Sequence, residues 1–232
     1  MTMNKLATKP SLRNDLLLKA IDNASKYQPI PPELFKENHR KEYLNWRNGH
    51  LSRPDISRDK FINLSGKSVL DLGCEIGYFG WNNARIVKFY LGVDSDPNYI
   101  NAGQMITTEL RYKNIHFINA DLVEFIKDLG VHYDICLFFS IYHHLMYEIG
   151  IEGTREVINK VSEICDELYF DMGQKSEHSN KARRKWHRLL PNEEPKIFIQ
   201  REVLINTLFK KSKILGETRV EKSKRLLFRF TK

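Results

Sequence analysis

A glycine-bearing turn between two buried strands constrains this 232-residue chain more than any other feature. Ser68-Val-Leu-Asp-Leu72 has the pattern of a buried strand and leads into a turn from Gly73 to Gly77. Lys88-Phe-Tyr-Leu-Gly-Val-Asp94 predicts a second strand that ends on an acid. Glycines permit a tight turn and close backbone approach, and the helix that follows offers its N-terminal N–H groups. Asp94 is therefore placed to accept hydrogen bonds from a ribose diol.

Three details favour an adenosyl amino acid over a dinucleotide such as NAD. Glu75 stands where a dinucleotide fingerprint has its second glycine, beside the pyrophosphate. Asp71 would repel a pyrophosphate but attract an ammonium group. Asp121, in Asn-Ala-Asp-Leu122 after the third strand, is placed to accept from an adenine amino group. The alternative for Asp71 and Asp121 is that each only caps a turn.

Strands alternate with helices from residue 67 to the end of the chain. Further strands are predicted at 115–118, 133–139, 167–171, 212–220 and 225–230, and helices at 97–110, 152–164 and 198–209. This alternation predicts an α/β fold of βαβ units on a parallel sheet, with an antiparallel hairpin at the end. Helical spacing over 12–27 and 38–51, around Pro29-Ile-Pro-Pro32, predicts an N-terminal helical cap. We expect the cap to span 1–64 and the main domain 65–232.

Composition excludes several classes of protein. The chain is 41% hydrophobic, which is too much for a disordered chain, and no uncharged apolar run approaches the roughly 18 residues of a membrane span. Charge interrupts the N-terminal apolar run, so a secretory signal is not expected. The cysteines Cys74, Cys136 and Cys165 are too far apart for a metal cluster and predict free thiols in the cytoplasm.

Positive charge is concentrated in the last quarter of the chain. The net charge is +8, whereas residues 175–232 alone hold 17 Lys and Arg against 6 Asp and Glu, a balance of +11. The densest run lies at 181–188. Such a run attracts an anionic partner, or it is simply a solvated face. Charge alone does not separate nucleic acid from a phosphorylated small molecule or an acidic glycan.

The stretch from Val69 to Phe230 resembles the class I S-adenosylmethionine-dependent methyltransferases, on the motifs VLDLGCEIGYF, GVDSD, NADL and YDICLFFSIYHHL. The resemblance implies a Rossmann-like, seven-stranded, mostly parallel sheet with an antiparallel C-terminal hairpin strand. It also implies S-adenosylmethionine as cofactor and S-adenosylhomocysteine as product. The cofactor-binding residues it implies are Asp71, Gly73 and Gly77 for the methionine part, Asp94 for the ribose, Asp121 and Leu122 for the adenine, and Phe139 and Ser140 for the methionyl ammonium. Tyr78 is a further candidate cofactor contact. Arg47 of the cap is either a contact to the cofactor carboxylate or an ordinary surface arginine.

The segment after the fourth strand would face the transferring methyl group. His143 and His144 are the candidate bases there, because an imidazole with a pKa of about 6.5 can take a hydroxyl proton at neutral pH. A phosphate or carboxylate acceptor would need no base. The basic lid expected at about 173–196 would bind the acceptor. Its candidate contacts are Tyr142, Arg183, Arg184 and Lys185, with Trp186 either stacking on the acceptor or anchoring the lid.

Two narrower resemblances bear on the acceptor. Ser140-Ile-Tyr-His-His-Leu145 and the tail 216–228 are similar to the methyltransferase domain of O-antigen chain terminators. Asn45-Trp-Arg-Asn-Gly-His50 and Gly77-Tyr-Phe-Gly-Trp81 are similar to tRNA wobble-uridine carboxymethyl-transfer enzymes. Both imply an anionic acceptor. The sequence thus predicts O-methylation of an anionic or sugar-bearing small molecule or glycan end. An RNA-modifying enzyme and a catalytically silent cofactor-binding module are the alternatives.

Overall fold

The computed structural model describes residues 17, 19–20, 28–34, 54–175, 177, 185–205, 207–220 and 223–232. In these ranges seven strands form one sheet in the order β3-β2-β1-β4-β5-β7-β6. The strands are β1 (Ser68–Leu72), β2 (Phe89–Asp94), β3 (Ile115–Asn119), β4 (Tyr133–Phe139), β5 (Cys165–Asp171), β6 (Lys211–Val220) and β7 (Ser223–Thr231). The helices are α1 (Pro54–Asp59), α2 (Tyr78–Asn82), α3 (Pro97–Glu109), α4 (Leu122–Lys127), α5 (Tyr142–Ile164) and α6 (Pro195–Leu204), with 3-10 turns at Pro32–Leu34 and Lys185–Arg188.

The sheet is mostly parallel, as predicted. Strands β1 to β5 pair in parallel, whereas β7 runs antiparallel to both β5 and β6. The strand order reverses between β1 and β4, which are neighbours in the sheet. In open α/β sheets, ligands bind outside the carboxyl ends of the strands at such a reversal. The topology therefore places the glycine turn and the segment after β4 next to each other at this reversal.

Apolar side chains cover both faces of the sheet, which explains why its central strands are apolar throughout. One face packs against α4, α5 and α6. The other packs against α2 and α3, and Leu17 and Leu34 of the predicted cap are both 1% exposed in this second core. These two cap residues therefore belong to the core of the sheet. No helix in the described ranges has the length and apolarity that a membrane crossing requires.

The helix boundaries differ from the predicted ones in two places. Helix α5 begins at Tyr142, ten residues before the predicted start, and Gly150 interrupts it with φ 76°. Helix α6 spans Pro195–Leu204, whereas the prediction was 198–209. Of the two predicted cap helices, that over 38–51 lies outside the described residues. In the 12–27 stretch, Leu17, Lys19 and Ala20 are helical.

Candidate active site

Backbone hydrogen bonds to strand β2 hold the turn after β1. The N–H groups of Gly73 and Cys74 both donate to the carbonyl of Val93, at 2.7 and 3.1 Å. Gly77 has φ +81°, and a Cβ atom there would lie 2.4 Å from the Phe117 ring. Both the backbone conformation and the space available thus require glycine at this position. The turn lies directly against the end of β2, where the predicted ribose-binding acid is found.

Glu75 and Asp94 join the turn to that strand end. Glu75 takes the left-handed backbone conformation that glycine favours, with φ +51°, and its N–H donates to Oδ2 of Asp94 at 3.0 Å. The other oxygen, Oδ1, accepts from the N–H of Asp96 at 3.0 Å. Burial raises the pKa of Asp94, although these backbone donors oppose the shift. A carboxylate has about four lone-pair positions, so Asp94 retains acceptor capacity that fits a ribose diol.

Asp71 lies inside the protein, behind the turn. Its side chain is buried, and Oδ2 accepts from the Tyr90 hydroxyl at 2.6 Å. Burial raises the pKa of Asp71 to about 7. Near neutral pH this carboxyl group therefore changes charge readily, and a cation placed beside it would favour the ionised form.

Asp121 and Leu122 follow β3 on the same edge of the sheet. Asp121 is exposed, and its Oδ1 accepts from the N–H of Glu124 at 3.0 Å, so it caps α4. The N–H of Ala120 donates to the carbonyl of Asp94 at 3.1 Å, which ties the ends of β2 and β3 together. The cap accounts for only one oxygen of Asp121. We call the carboxyl ends of β1, β2 and β3, with the turn 73–77, the glycine-turn edge.

The carboxyl ends of β4 and β5 carry a buried charge network, and we call this region the charged edge. Ser140 follows β4 with a left-handed backbone, φ +61°. Its hydroxyl oxygen lies 2.7 Å from Nη2 of Arg58 and 2.7 Å from Nη1 of Arg225, and its N–H donates to Oδ1 of Asp171 at 3.0 Å. Left-handed backbone in a residue other than glycine costs about 1–2 kcal/mol and persists where surrounding groups hold it. Arg58 also lies over the Phe139 ring, 4.8 Å from its centroid.

Both arginines of the charged edge are fully paired with acids. Arg58 donates to the two oxygens of Asp171 at 2.7 and 2.8 Å and to Asp55 at 2.6 Å. Arg225 donates to the two oxygens of Glu177 at 2.5 and 3.1 Å. All five residues are less than 10% exposed. Since an unpaired buried charge costs several kcal/mol, these groups behave as one unit. None of these five residues was predicted as part of the site. The one local signal for them in the sequence is that the predicted fifth strand, 167–171, ends on an acid.

His143 is held by the segment that follows β5. It is 1% exposed, and its Nδ1 accepts from the N–H of Gly173 at 2.9 Å. A backbone N–H can only donate, so a neutral His143 carries its proton on Nε2 and presents a donor there rather than a base. His144 is exposed, and the two rings lie 4.4 Å apart. Of the two predicted bases, the geometry therefore favours His144.

Trp186 packs inside the protein, against His143 and Gly173. Its ring lies 4.2 Å from that of His143, and a Cβ atom on Gly173 would approach it to 2.4 Å. Only 4% of Trp186 is exposed. The residue thus anchors the turn Lys185–Arg188 to the core, which is the second of the two roles considered for it.

Several other predicted contacts are buried or lie outside the described residues. Tyr142 is fully buried, and its hydroxyl lies 3.3 Å from Oε2 of Glu202, so it supports α5 against α6 instead of reaching an acceptor. The Tyr78 ring is also fully buried, so its side chain serves the core. Lys185 is exposed, with Nζ 5.5 Å from the centroid of the Tyr147 ring. Arg47, Arg183 and Arg184 lie outside the described residues.

A shallow, partly open crevice lies beside the charged edge, between the segment after β5 and α6. Met172, Leu190 and Phe198 supply apolar wall, and Gln174 and Glu193 supply polar groups. Gln174 is buried, and its Nε2 has no hydrogen-bond partner among the described residues. Gly173, which holds His143, also lines the crevice.

The chain superposes on solved structures of methyltransferases. The bifunctional kinase-methyltransferase WbdD superposes with a TM-score of 0.68 at 19% identity, over 93% of this chain and 46% of that one. Magnesium protoporphyrin IX methyltransferase from Synechocystis PCC 6803, solved with bound S-adenosylmethionine, gives 0.57 at 19% identity, over 82% and 83% of the two chains. The N-methyltransferase NodS from Bradyrhizobium japonicum WM9 gives 0.54 at 16% identity, over 83% and 98%. The chain has the class I methyltransferase fold.

Sequence comparison points in the same direction over a shorter stretch. The O-antigen chain terminator bifunctional methyltransferase/kinase WbdD of Escherichia coli is 24% identical over 131 residues, which is 54% of this chain and 18% of that protein. The chain thus matches less than a fifth of the length of this curated relative. No family model matches the chain.

Proposed function

We propose that the chain is a methyltransferase that uses S-adenosylmethionine and methylates an oxygen of an anionic or sugar-bearing acceptor. The observation that carries this proposal is the bond from the Glu75 N–H to Asp94, because it unites the glycine turn and the ribose-binding acid in one site. The same fold binds S-adenosylmethionine and S-adenosylhomocysteine in magnesium protoporphyrin IX methyltransferase, which supports the choice of cofactor.

The residues of the glycine-turn edge fit such a cofactor. Asp94 would accept from the ribose hydroxyls, and the buried carboxyl of Asp71 would favour the methionyl ammonium. Asp121 and Leu122 would flank the adenine. The cofactor supplies an electrophilic methyl group on a sulfonium sulfur. The remaining cofactor contacts that we propose are Gly73, Gly77, the backbone of Tyr78, Phe139 and Ser140, and Arg47 of the N-terminal segment.

The acceptor would enter from the charged edge. The new C–O bond forms as the C–S bond breaks, so an alcohol must also lose its proton, and His144 would take it. A phosphate or carboxylate oxygen is already ionised and needs no base. The +11 balance of residues 175–232 supports an anionic acceptor, with Arg183, Arg184 and Lys185 as the proposed contacts. A chain terminator of a glycan among the relatives favours a sugar phosphate or glycan end.

The direct test is transfer of a labelled methyl group from S-adenosylmethionine to sugar phosphates, short phosphorylated glycans and tRNA, at several salt concentrations. We expect label on a phosphorylated or carboxylated sugar. Transfer to tRNA, with binding that weakens steeply as salt rises, would instead favour an RNA-modifying enzyme. Cofactor binding without transfer to any acceptor would favour a silent binding module.

His144→Ala decides whether a base is needed. With an alcohol acceptor, the variant should lose about 10²–10⁴-fold in kcat. An unchanged kcat would identify an acceptor oxygen that is already ionised. His143→Ala is the matched variant, and we expect it to reduce stability through the lost contact with Gly173. We further propose the cytoplasm as the compartment, since all three cysteines are free and buried.

A further inference from the structure

We infer that Gln28, from the segment before the sheet, is a positioning residue for the cofactor-binding turn. This inference rests on the proposed function and extends it to a part of the chain that the motifs do not reach. Gln28 is 6% exposed and lies 46 and 50 residues before the two groups that it contacts.

The Gln28 amide bridges the two ends of the glycine turn. Its Nε2 donates to the carbonyl of Cys74 at 3.1 Å, and its Oε1 accepts from the N–H of Tyr78 at 3.1 Å. The same Cys74 carbonyl accepts from the N–H of Gly77 at 2.9 Å. A carbonyl oxygen has two lone pairs, so these two donors satisfy it. The Gln28 side chain therefore holds the turn at Cys74, near its start, and at Tyr78, where α2 begins.

The glycine at position 77 explains why the turn needs an outside partner. The first N–H groups of a helix lack partners within the helix, and a Ser, Thr, Asp or Asn at the N-cap normally satisfies one of them. Gly77 occupies the N-cap of α2 with φ +81° and has no side chain for this role. A larger residue would collide with Phe117. Gln28 therefore supplies from a distance the cap that the turn cannot provide itself.

This bridge links cofactor affinity to the N-terminal segment. Glu75 lies inside the bridged turn, and its N–H is the donor to Asp94. If the ends of the turn move, the Asp94 carboxylate loses that partner and its fixed orientation. The groups that Gln28 bonds, the Cys74 carbonyl and the Tyr78 N–H, belong to the turn and to the start of α2, so Gln28 acts through the turn.

The test compares S-adenosylhomocysteine binding by the full chain and by Gln28→Leu, which keeps much of the side-chain volume but removes both hydrogen bonds. Gln200→Leu is the matched control, because Gln200 Nε2 donates to Ser212 Oγ on the opposite face of the sheet. We expect the Kd to rise about tenfold in Gln28→Leu, because ligand binding must then restore the order that the lost cap gave to the turn, and to stay unchanged in Gln200→Leu. A Gln28→Leu variant that melts earlier but binds as tightly as the parent overturns the positioning role.

Gln28→Glu adds a signature that a merely structural role would not give. When ionised, the introduced carboxylate still accepts from the N–H of Tyr78 but repels the Cys74 carbonyl. When protonated, the carboxyl group can donate to that carbonyl again. The loss of affinity relative to the parent chain should therefore shrink from pH 8 to pH 5.5, and an equal loss at both values contradicts the bridge.

Hydrogen exchange separates this inference from the proposed function. The Tyr78 amide should exchange faster in Gln28→Leu than in the parent chain, whether or not a ligand binds. If the Tyr78 amide exchanges faster in Gln28→Leu but the parent chain does not bind S-adenosylhomocysteine, the proposed cofactor is rejected and the bridge is kept. Unchanged exchange would reject the bridge.

Discussion

The two halves of the candidate site are built on different principles. At the glycine-turn edge, most hydrogen bonds that fix the turn involve backbone groups that are close in sequence. Glu75 and Asp94, for example, lie only 19 residues apart. At the charged edge, side chains from distant parts of the chain hold one another. Arg58 lies 113 residues from Asp171, and Arg225 lies 85 residues from Ser140. Short sequence separations bring together most groups of the glycine-turn edge, whereas a buried charge network requires the finished fold.

Replacing Arg58 by Met tests the charged edge and should have the largest effect. Asp171 would keep its buried charge but lose both guanidinium bonds, so we expect a loss of about 3–5 kcal/mol in the free energy of unfolding, measured in urea. Lys224→Met is the control, because that side chain is 66% exposed and its ion pair with Glu217, which is 50% exposed, contributes about 0–1 kcal/mol. Similar small losses in both variants would show that the charges at the charged edge do not act as a unit.

Replacing Asp94 by Ala tests the glycine-turn edge. We expect affinity for S-adenosylhomocysteine, measured by calorimetry, to fall at least about tenfold, or ~1.4 kcal/mol, because the ribose loses its acceptor. Asp96→Ala is the neighbouring control. It removes the cap of α3 and should cost about 1 kcal/mol of stability while sparing the affinity. Equal weakening in both variants would contradict the ribose assignment.

The raised pKa of Asp71, at the glycine-turn edge, should make the stability of the chain depend on pH. Burial raises its pKa to about 7 in the folded chain, against about 3.9 when unfolded. Between these values only the folded chain keeps the proton, so the contribution of Asp71 to stability falls as pH rises from about 4 to about 7. Asp71→Asn removes this titration. Its stability relative to the parent should therefore increase between pH 5 and pH 7.5 in urea unfolding. A constant difference would contradict the raised pKa.

The smallest effect on stability is expected from substitutions of Glu75. Its left-handed backbone suits glycine, so Glu75→Gly should stabilise the chain by up to about 1 kcal/mol relative to Glu75→Ala. Urea unfolding of the two variants makes the comparison. Greater stability of the alanine variant would show that this backbone conformation carries no strain.

The contrast between local and long-range contacts explains which features could be predicted from the sequence. All seven strands were predicted within a few residues, because apolar runs and the glycine turn are local patterns. The start of α5 was missed because Ile141 at its N-cap makes no side-chain hydrogen bond, so no start signal is present. The start of α6 was placed late, although Pro195 in its first turn is such a signal. Gln28, Arg58 and Arg225 were missed because their partners become neighbours only in the folded chain.

Thermal unfolding with and without S-adenosylhomocysteine, with NAD in parallel, tests the central claim most directly. A ligand at 100 times its Kd adds about 2.7 kcal/mol of stability. The proposed function predicts a clear rise in Tm with S-adenosylhomocysteine and none with NAD. A rise with NAD alone would contradict the assignment of the glycine-turn edge to an adenosyl amino acid.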